Sequence, residues 1–176
     1  MFQVGVDHSR LKPGNYKGKI DIIVSKTSSS AREIEVFLRI FRKASSSPPF
    51  GFIDIPGDSQ TPAGRIVRIE GWALDDIEVV KVSAKRTPFP EDVSPIDRDG
   101  LVFLGDAVFR ERSRKDVRRA FPRFPLNHRA GWWILLERRD LSPQDRSPVE
   151  LHIIAMDKEG NQKSLGKRTI VLSPVK

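Results

Sequence analysis

Apolar and polar positions alternate along much of the chain. In the segment YKGKIDIIV, residues 16–24, Tyr16, Ile20, Ile22 and Val24 fall on one side and Lys17, Lys19 and Asp21 on the other. The segment REIEVFLRI, residues 32–40, sets Ile34, Val36, Leu38 and Ile40 against Glu33, Glu35 and Arg39. Period two with β-branched residues predicts half-buried strands. A third strand is expected over Phe2–Val6. The polar run Lys26–Ser30 reads as the loop between the two alternating segments, and Lys12–Asn15 as a turn, because proline presets one backbone angle and glycine permits a positive one.

Ser45, Ser46, Ser47, Pro48 and Pro49 then interrupt the pattern. Serines carry no core and prolines cannot donate to a ladder, so a domain boundary is expected here, with residues 45–48 as linker. Beyond it, strands are predicted over Phe50–Ile55, Arg65–Trp72, Ile77–Lys85, Leu101–Phe109, Gly131–Leu136, Val149–Met156 and Lys167–Leu172. Turn signals separate them at 56–58, 75–76, 97–100 and 157–161. Many short strands with regular turns predict an antiparallel sandwich or barrel. The helical candidate is Arg114–Phe121, with Ser113 as its cap and Asp116 in its first turn. At about two turns, it decorates a loop and leaves the fold all-β.

The 176 residues can make one large β domain or two small ones, and 38% hydrophobic composition supplies a modest core. No apolar run approaches the roughly 18 residues of a membrane helix. The opening MFQVGVDHSR lacks the basic-then-apolar pattern of a signal peptide, so a cytosolic chain or an internal piece of a longer one is expected. The absence of cysteine removes disulfides, thiolate metal sites and cysteine nucleophiles together.

Candidate catalytic chemistry is sparse. His8, His128 and His152 do not share metal-ligand spacing, and no Gly-x-Ser-x-Gly elbow occurs. The adjacent carboxylates Asp75–Asp76 and Glu91–Asp92 are expected to point apart and stay solvated, unlike a glycosidase pair. Asp97, Asp99 and Gly100 begin like a calcium loop, but the residue about twelve positions on is Val108 or Phe109, with no carboxylate. A hairpin turn is the expectation there and at Asp157–Asn161. No catalysis and no cofactor are expected.

Charge adds one feature. The formal net charge is +8, and Arg110, Arg112, Arg114, Lys115, Arg118, Arg119, Arg123 and Arg129 cluster near Phe121, Phe124 and Trp132. Arginine beside aromatics can hold phosphate or stack on bases. Glu111 and Asp116 interleave, however, and no DNA- or RNA-binding signature accompanies the cluster. The plain reading is a solvated surface; any polyanion binding is expected to be weak and without sequence preference, and no specific nucleic acid is expected.

Several segments carry a resemblance. PFGFIDIP at 49–56, GWALDD at 71–76, GLVFLGDAVF at 100–109, RKDVRRAFP at 114–122, AGW at 130–132 and AMDKEGN at 155–161 resemble, in order, a bacterial immunoglobulin-like repeat of large exported proteins. The resemblance implies an immunoglobulin-like sandwich over 49–176 with no active site. It also implies Trp72 and Trp132 as core aromatics, Gly71 and Gly131 at close backbone approaches, and Gly160 in a hairpin turn. Lys115 stands where the family's loop helix usually has proline. LKPGNYKGKI at 11–20 and IEVFLRI at 34–40 resemble the closing strands of BACON-like sandwich domains, so residues 1–44 are expected to be a partial second sandwich.

The resulting expectation is a non-catalytic spacer, stalk or adhesion module of an exported, cell-surface protein. The alternative is a glycan- or polyanion-binding module. A row of exposed aromatics, Tyr16, Phe89 and Trp133, would favour sugars. The apolar face of the short N-terminal strands is expected to pack on the second domain, to pair with another copy through open edges, or to stay frayed.

Overall fold

The structure, a computed structural model, describes residues 5–22, 32–62, 64–90, 92–142 and 147–172. Two compact units divide at Ser46/Ser47. In the first, β1 (Gly14–Ile22) and β2 (Arg32–Ile40) form an antiparallel two-stranded sheet. Tyr16 lies opposite Leu38, and Ile20 opposite Ile34, which gathers the apolar positions on one face. On the other face Lys17 pairs with Glu35 at 2.6 Å and Lys19 with Glu33 at 2.8 Å. The Lys17 ammonium also lies 5.3 Å from the ring centroid of Phe37, an aromatic that the alternation places among charges. The expected strand Phe2–Val6 falls mostly outside the described residues, as does the loop Lys26–Ser30; Gly5 and Val6 are not in a strand.

The second unit is an antiparallel β-sandwich. Its strands are β3 (Phe50–Ile55), β4 (Ile66–Leu74), β5 (Val79–Arg86), β6 (Val102–Asp106), β7 (Val108–Arg110), β8 (Gly131–Glu137), β9 (Val149–Asp157) and β10 (Gln162–Ile170). One sheet runs β3-β4-β8-β7 and the other β10-β9-β5-β6. This is the immunoglobulin strand order, with one extra strand beside the sheet that holds the last two. Two short helices, α1 (Lys115–Ala120) and α2 (Arg138–Leu141), lie in connections.

Two corrections to the sequence expectation concern β6, β7 and α1. The run Leu101–Phe109 is two strands in different sheets. β6 pairs with β5 and β7 with β8, and the chain crosses the sandwich at Ala107, whose amide donates to Val82 O at 2.8 Å. The apolar run LVFLGDAVF cannot reveal such a switch, because it reads as strand throughout and carries no sign of which sheet each half joins. Nor does Ser113 cap the helix. Arg114 holds the cap position without a side-chain cap bond, and the Ser113 hydroxyl donates to Arg110 O at 3.0 Å. Gly131 explains the packing, since a Cβ there would collide with Ser113 Oγ.

β4 and β8 supply the inner wall. Val67, Ile69 and Ala73 join Trp132, Ile134 and Leu136 in the main core with Val82, Ala84, Leu151, Ile153 and Ala155 from the opposite sheet. Gly71 lies in the same inner row of β4, opposite Trp132. A side chain there would strike the Phe52 carbonyl, with its Cβ only 2.6 Å from Trp132 Cζ2. The absence of a side chain at 71 is what lets the indole lie flush in the core at 1% exposure. Trp72 points the other way. It belongs to a separate cluster of Leu74, Val117 and Ala130 with Phe50, Phe121 and Phe124, so it is a core aromatic of the loop cover and not of the sandwich interior.

Candidate functional site

The loop 111–130 is clamped at several points. Arg112 N donates to His128 O at 2.6 Å, and Asn127 Nδ2 to Phe121 O at 2.9 Å. Phe50, Trp72, Phe121 and Phe124 pack with centroid separations of 5.2–5.9 Å, the usual range for edge-to-face and tilted aromatic pairs. Val117 is the buried residue of α1, which leaves Lys115, Arg118 and Arg119 exposed.

The eight basic candidates separate into two kinds. Arg114 is half-buried and bridges the Asp54 and Asp116 carboxylates. The Arg114 hydrogen bond holds the Asp116 carboxyl down at about 2. Burial pushes the Asp54 carboxyl up, against the attraction of Arg114. Arg129 reaches Glu78 at 3.6 Å and lies 5.9 Å from the Phe109 ring centroid. These two arginines fasten the loop. The remaining six, Arg110, Arg112, Lys115, Arg118, Arg119 and Arg123, are exposed and have no ion-pair partner among the described residues. They form the free basic surface.

Beside the loop, the outward face of the β3-β4-β8-β7 sheet carries an open groove of about 260 Å³ bordered by Asp54, Glu70, Arg110, Ser113, Arg114 and Gly131. Register places Glu70 opposite Trp133, and Trp133 opposite Val108. Trp133 faces outward because its neighbours Trp132 and Ile134 face the core. It is half-buried, and Val108 and Leu135 around it are 55% and 50% exposed. Trp132 also borders the groove, and its indole Nε1 has no hydrogen-bond partner among the described residues.

The other candidates resolve into fastenings. Asp97 Oδ1 accepts from the amides of Asp99 and Leu101, and Lys85 Nζ sits 2.6 Å from both the Asp97 and the Asp99 carboxylate. Lysine thus supplies the cation that a calcium-like loop would need. Asp157 is buried, and its two oxygens accept from Asn161 N and Nδ2 at 2.8 Å each across a turn in which Gly160 has φ +91°. His152 Nε2 lies 3.1 Å from Thr87 Oγ1 and 2.9 Å from Glu150. No group of three metal-ligating side chains occurs among the described residues. No described helix is long and apolar enough to cross a membrane.

Two expectations need correction. Asp75 was expected to be solvated; it is 3% exposed, and burial pushes its carboxyl up to about 6. It continues the inward-facing row of β4 past Ala73, with Oδ1 accepting from Ile77 N at 2.8 Å and Oδ2 without a partner among the described residues. Asp92, likewise expected to be solvated, has a side chain 4% exposed, because it closes on the buried Arg86. The three aromatics whose joint exposure would favour sugars are not exposed. Tyr16, Phe89 and Trp133 are each half-buried, and Phe89 packs against the main core. Glu91 lies outside the described residues, while its neighbour Asp92 is clasped by a buried arginine. The groove of Glu70, Asp54 and Arg110 was missed because strand pairing, not local sequence, assembles it. No family model matches the chain, and no curated protein does either.

Proposed function

We propose that the chain is a non-catalytic interaction module of a larger exported bacterial protein, acting as a spacer or adhesion unit that contacts anionic surfaces through the loop 111–130 and the adjoining Arg110. The observation that carries this reading is the presentation of five cations, with Arg110 at the end of β7 as a sixth, none ion-paired among the described residues, on a loop that ion pairs and an aromatic cluster hold in one shape. A fixed basic surface attracts polyanions at little ordering cost. The immunoglobulin strand order and the ordered segments between 49 and 161 support the repeat-like reading, and with it an extracellular setting. The N-terminal β1–β2 sheet fits the closing strands of a BACON-like partner domain on its turn and strand residues.

Heparin-column retention tests this. The intact protein is expected to be retained at low salt and to elute as salt rises, because binding rests on counterion release. Arg118→Glu with Arg119→Glu should elute far earlier. Equal retention of the intact protein and this double variant would remove the basic loop from the function. No retention at low salt would end the polyanion reading.

A further inference from the structure

The geometry points to a second, more selective element next to the basic loop: the outward groove between β4, β8 and the loop binds a single ring of an acidic polysaccharide. This rests on the proposed polyanion contact and deepens it by naming the ligand class.

The combination of groups is what argues for an acidic sugar. A bare phosphate chain needs cations alone. Here Arg110, exposed and without an ion-pair partner among the described residues, borders the groove together with the Ser113 side chain and two carboxylates already held by arginines, Glu70 by Arg68 at 2.6 Å and Asp54 by Arg114, each with lone pairs left for hydroxyls. Carboxylates repel a polyphosphate, but they accept hydrogen bonds from sugar hydroxyls, often two at once. Arg110 offers a planar fork for a sugar's carboxylate or sulfate. Arg114 adds cationic character while remaining tied to Asp54 and Asp116.

Trp133, half-buried and standing beside the lining residues of the groove, supplies the apolar part. Register sets it directly across from Glu70 on the outward side of the sheet, with exposed Val108 on its other flank. An aromatic face takes the C–H side of a sugar ring, while hydroxyls around the ring reach polar groups beside it. A groove of about 260 Å³ suits one ring and leaves the neighbouring units free to run over Lys115, Arg118 and Arg119. The basic loop then contributes general attraction, and the groove selects for sugar.

Intrinsic tryptophan fluorescence, titrated with heparin and with polyphosphate matched in charge, tests the assignment. Heparin is expected to shift the emission, and polyphosphate to bind without that shift. Trp133→Leu should abolish the shift, and Arg110→Ala and Glu70→Gln should each weaken heparin binding about tenfold, the loss of one good polar contact. Arg110 and Glu70 are surface residues, so these two variants test the site even if Trp133→Leu perturbs folding, which far-ultraviolet circular dichroism monitors. Heparin binding unchanged in all three variants overturns the groove and leaves the basic loop standing. Binding that depends on the groove residues but survives Arg118→Glu with Arg119→Glu sustains the groove and overturns the loop. Equal emission shifts with heparin and polyphosphate overturn the sugar assignment.

Discussion

The guanidinium of Arg86 is fully buried, and the carboxylate of Asp92, six residues along the chain, grips it with both oxygens. Asp92 also accepts from Phe89 N at 3.0 Å, and Arg86 lies 5.1 Å from the Phe89 ring centroid. The pair thus pins the segment after β5 against the core. Removing one partner strands a buried charge, so Asp92→Ala should cost about 3 kcal/mol in chemical denaturation at pH 7.

The same pair sets an acid limit. Hydrogen bonds from Arg86 hold the Asp92 carboxyl well below its usual range. A depressed acid stabilises the fold above its unfolded pKa of about 3.9, and that contribution fades as pH falls further. Denaturation midpoints measured from pH 5 to pH 2 should drop for the intact protein. Asp92→Asn should flatten part of that drop; an unchanged slope would exclude the pair as the acid-sensitive element.

Asp75 works in the opposite direction. Burial raises its carboxyl to about 6, so the fold favours the protonated form. Its contribution is full below pH of about 4 and is lost as pH rises through about 6. Asp75→Asn keeps the acceptor for the Ile77 amide and removes the charge. At pH 7.5 it should stabilise the protein by on the order of 1 kcal/mol, with no gain at pH 4.

Gly71→Ala should destabilise by about 2 kcal/mol, because the new methyl meets a backbone carbonyl and a rigid indole. The near-ultraviolet circular dichroism of Trp132 should change with it.

Phe121→Ala opens the aromatic cluster under α1. A loss of about 2 kcal/mol is expected. Faster hydrogen exchange confined to residues 112–130 would locate the effect in the loop, whereas uniform exchange across β9 would argue that the cluster supports the whole sandwich.

Alternation made the strands legible, and with them the all-β fold. Ile53, Val67, Ile69, Ile134, Leu136, Leu151 and Ile153 occupy inward positions that period two predicts. The switch at Ala107 was not legible, since both halves of the run 101–109 have strand-forming residues and only pairing shows which sheet each joins. Asp75 was misjudged for a related reason. Its sequence marks a turn, yet its parity with Ala73 aims it inward. The basic loop was visible as composition, but the division of Arg114 and Arg129 from the six free cations depends on Asp54 and Glu78, which lie far away in sequence. Trp133 stood out as an aromatic, but its pairing with Glu70 had no local signal, because only the β4–β8 register makes them neighbours.

The edges of the sandwich also meet in a telling way. Gln60, just after β3, forms a parallel bridge with Ile170 at the end of β10. Ser59 N donates to Thr169 O at 2.8 Å, and Val171 N to Gln60 O at 3.1 Å. The first and last segments of the unit thus run side by side in the same direction. Tension applied between Ser47 and Leu172 pulls these segments past one another lengthwise, so their bonds bear load together instead of unzipping singly. Under flow or traction the unit would yield by abrupt rupture, at a force governed by the unfolding barrier and not by equilibrium stability.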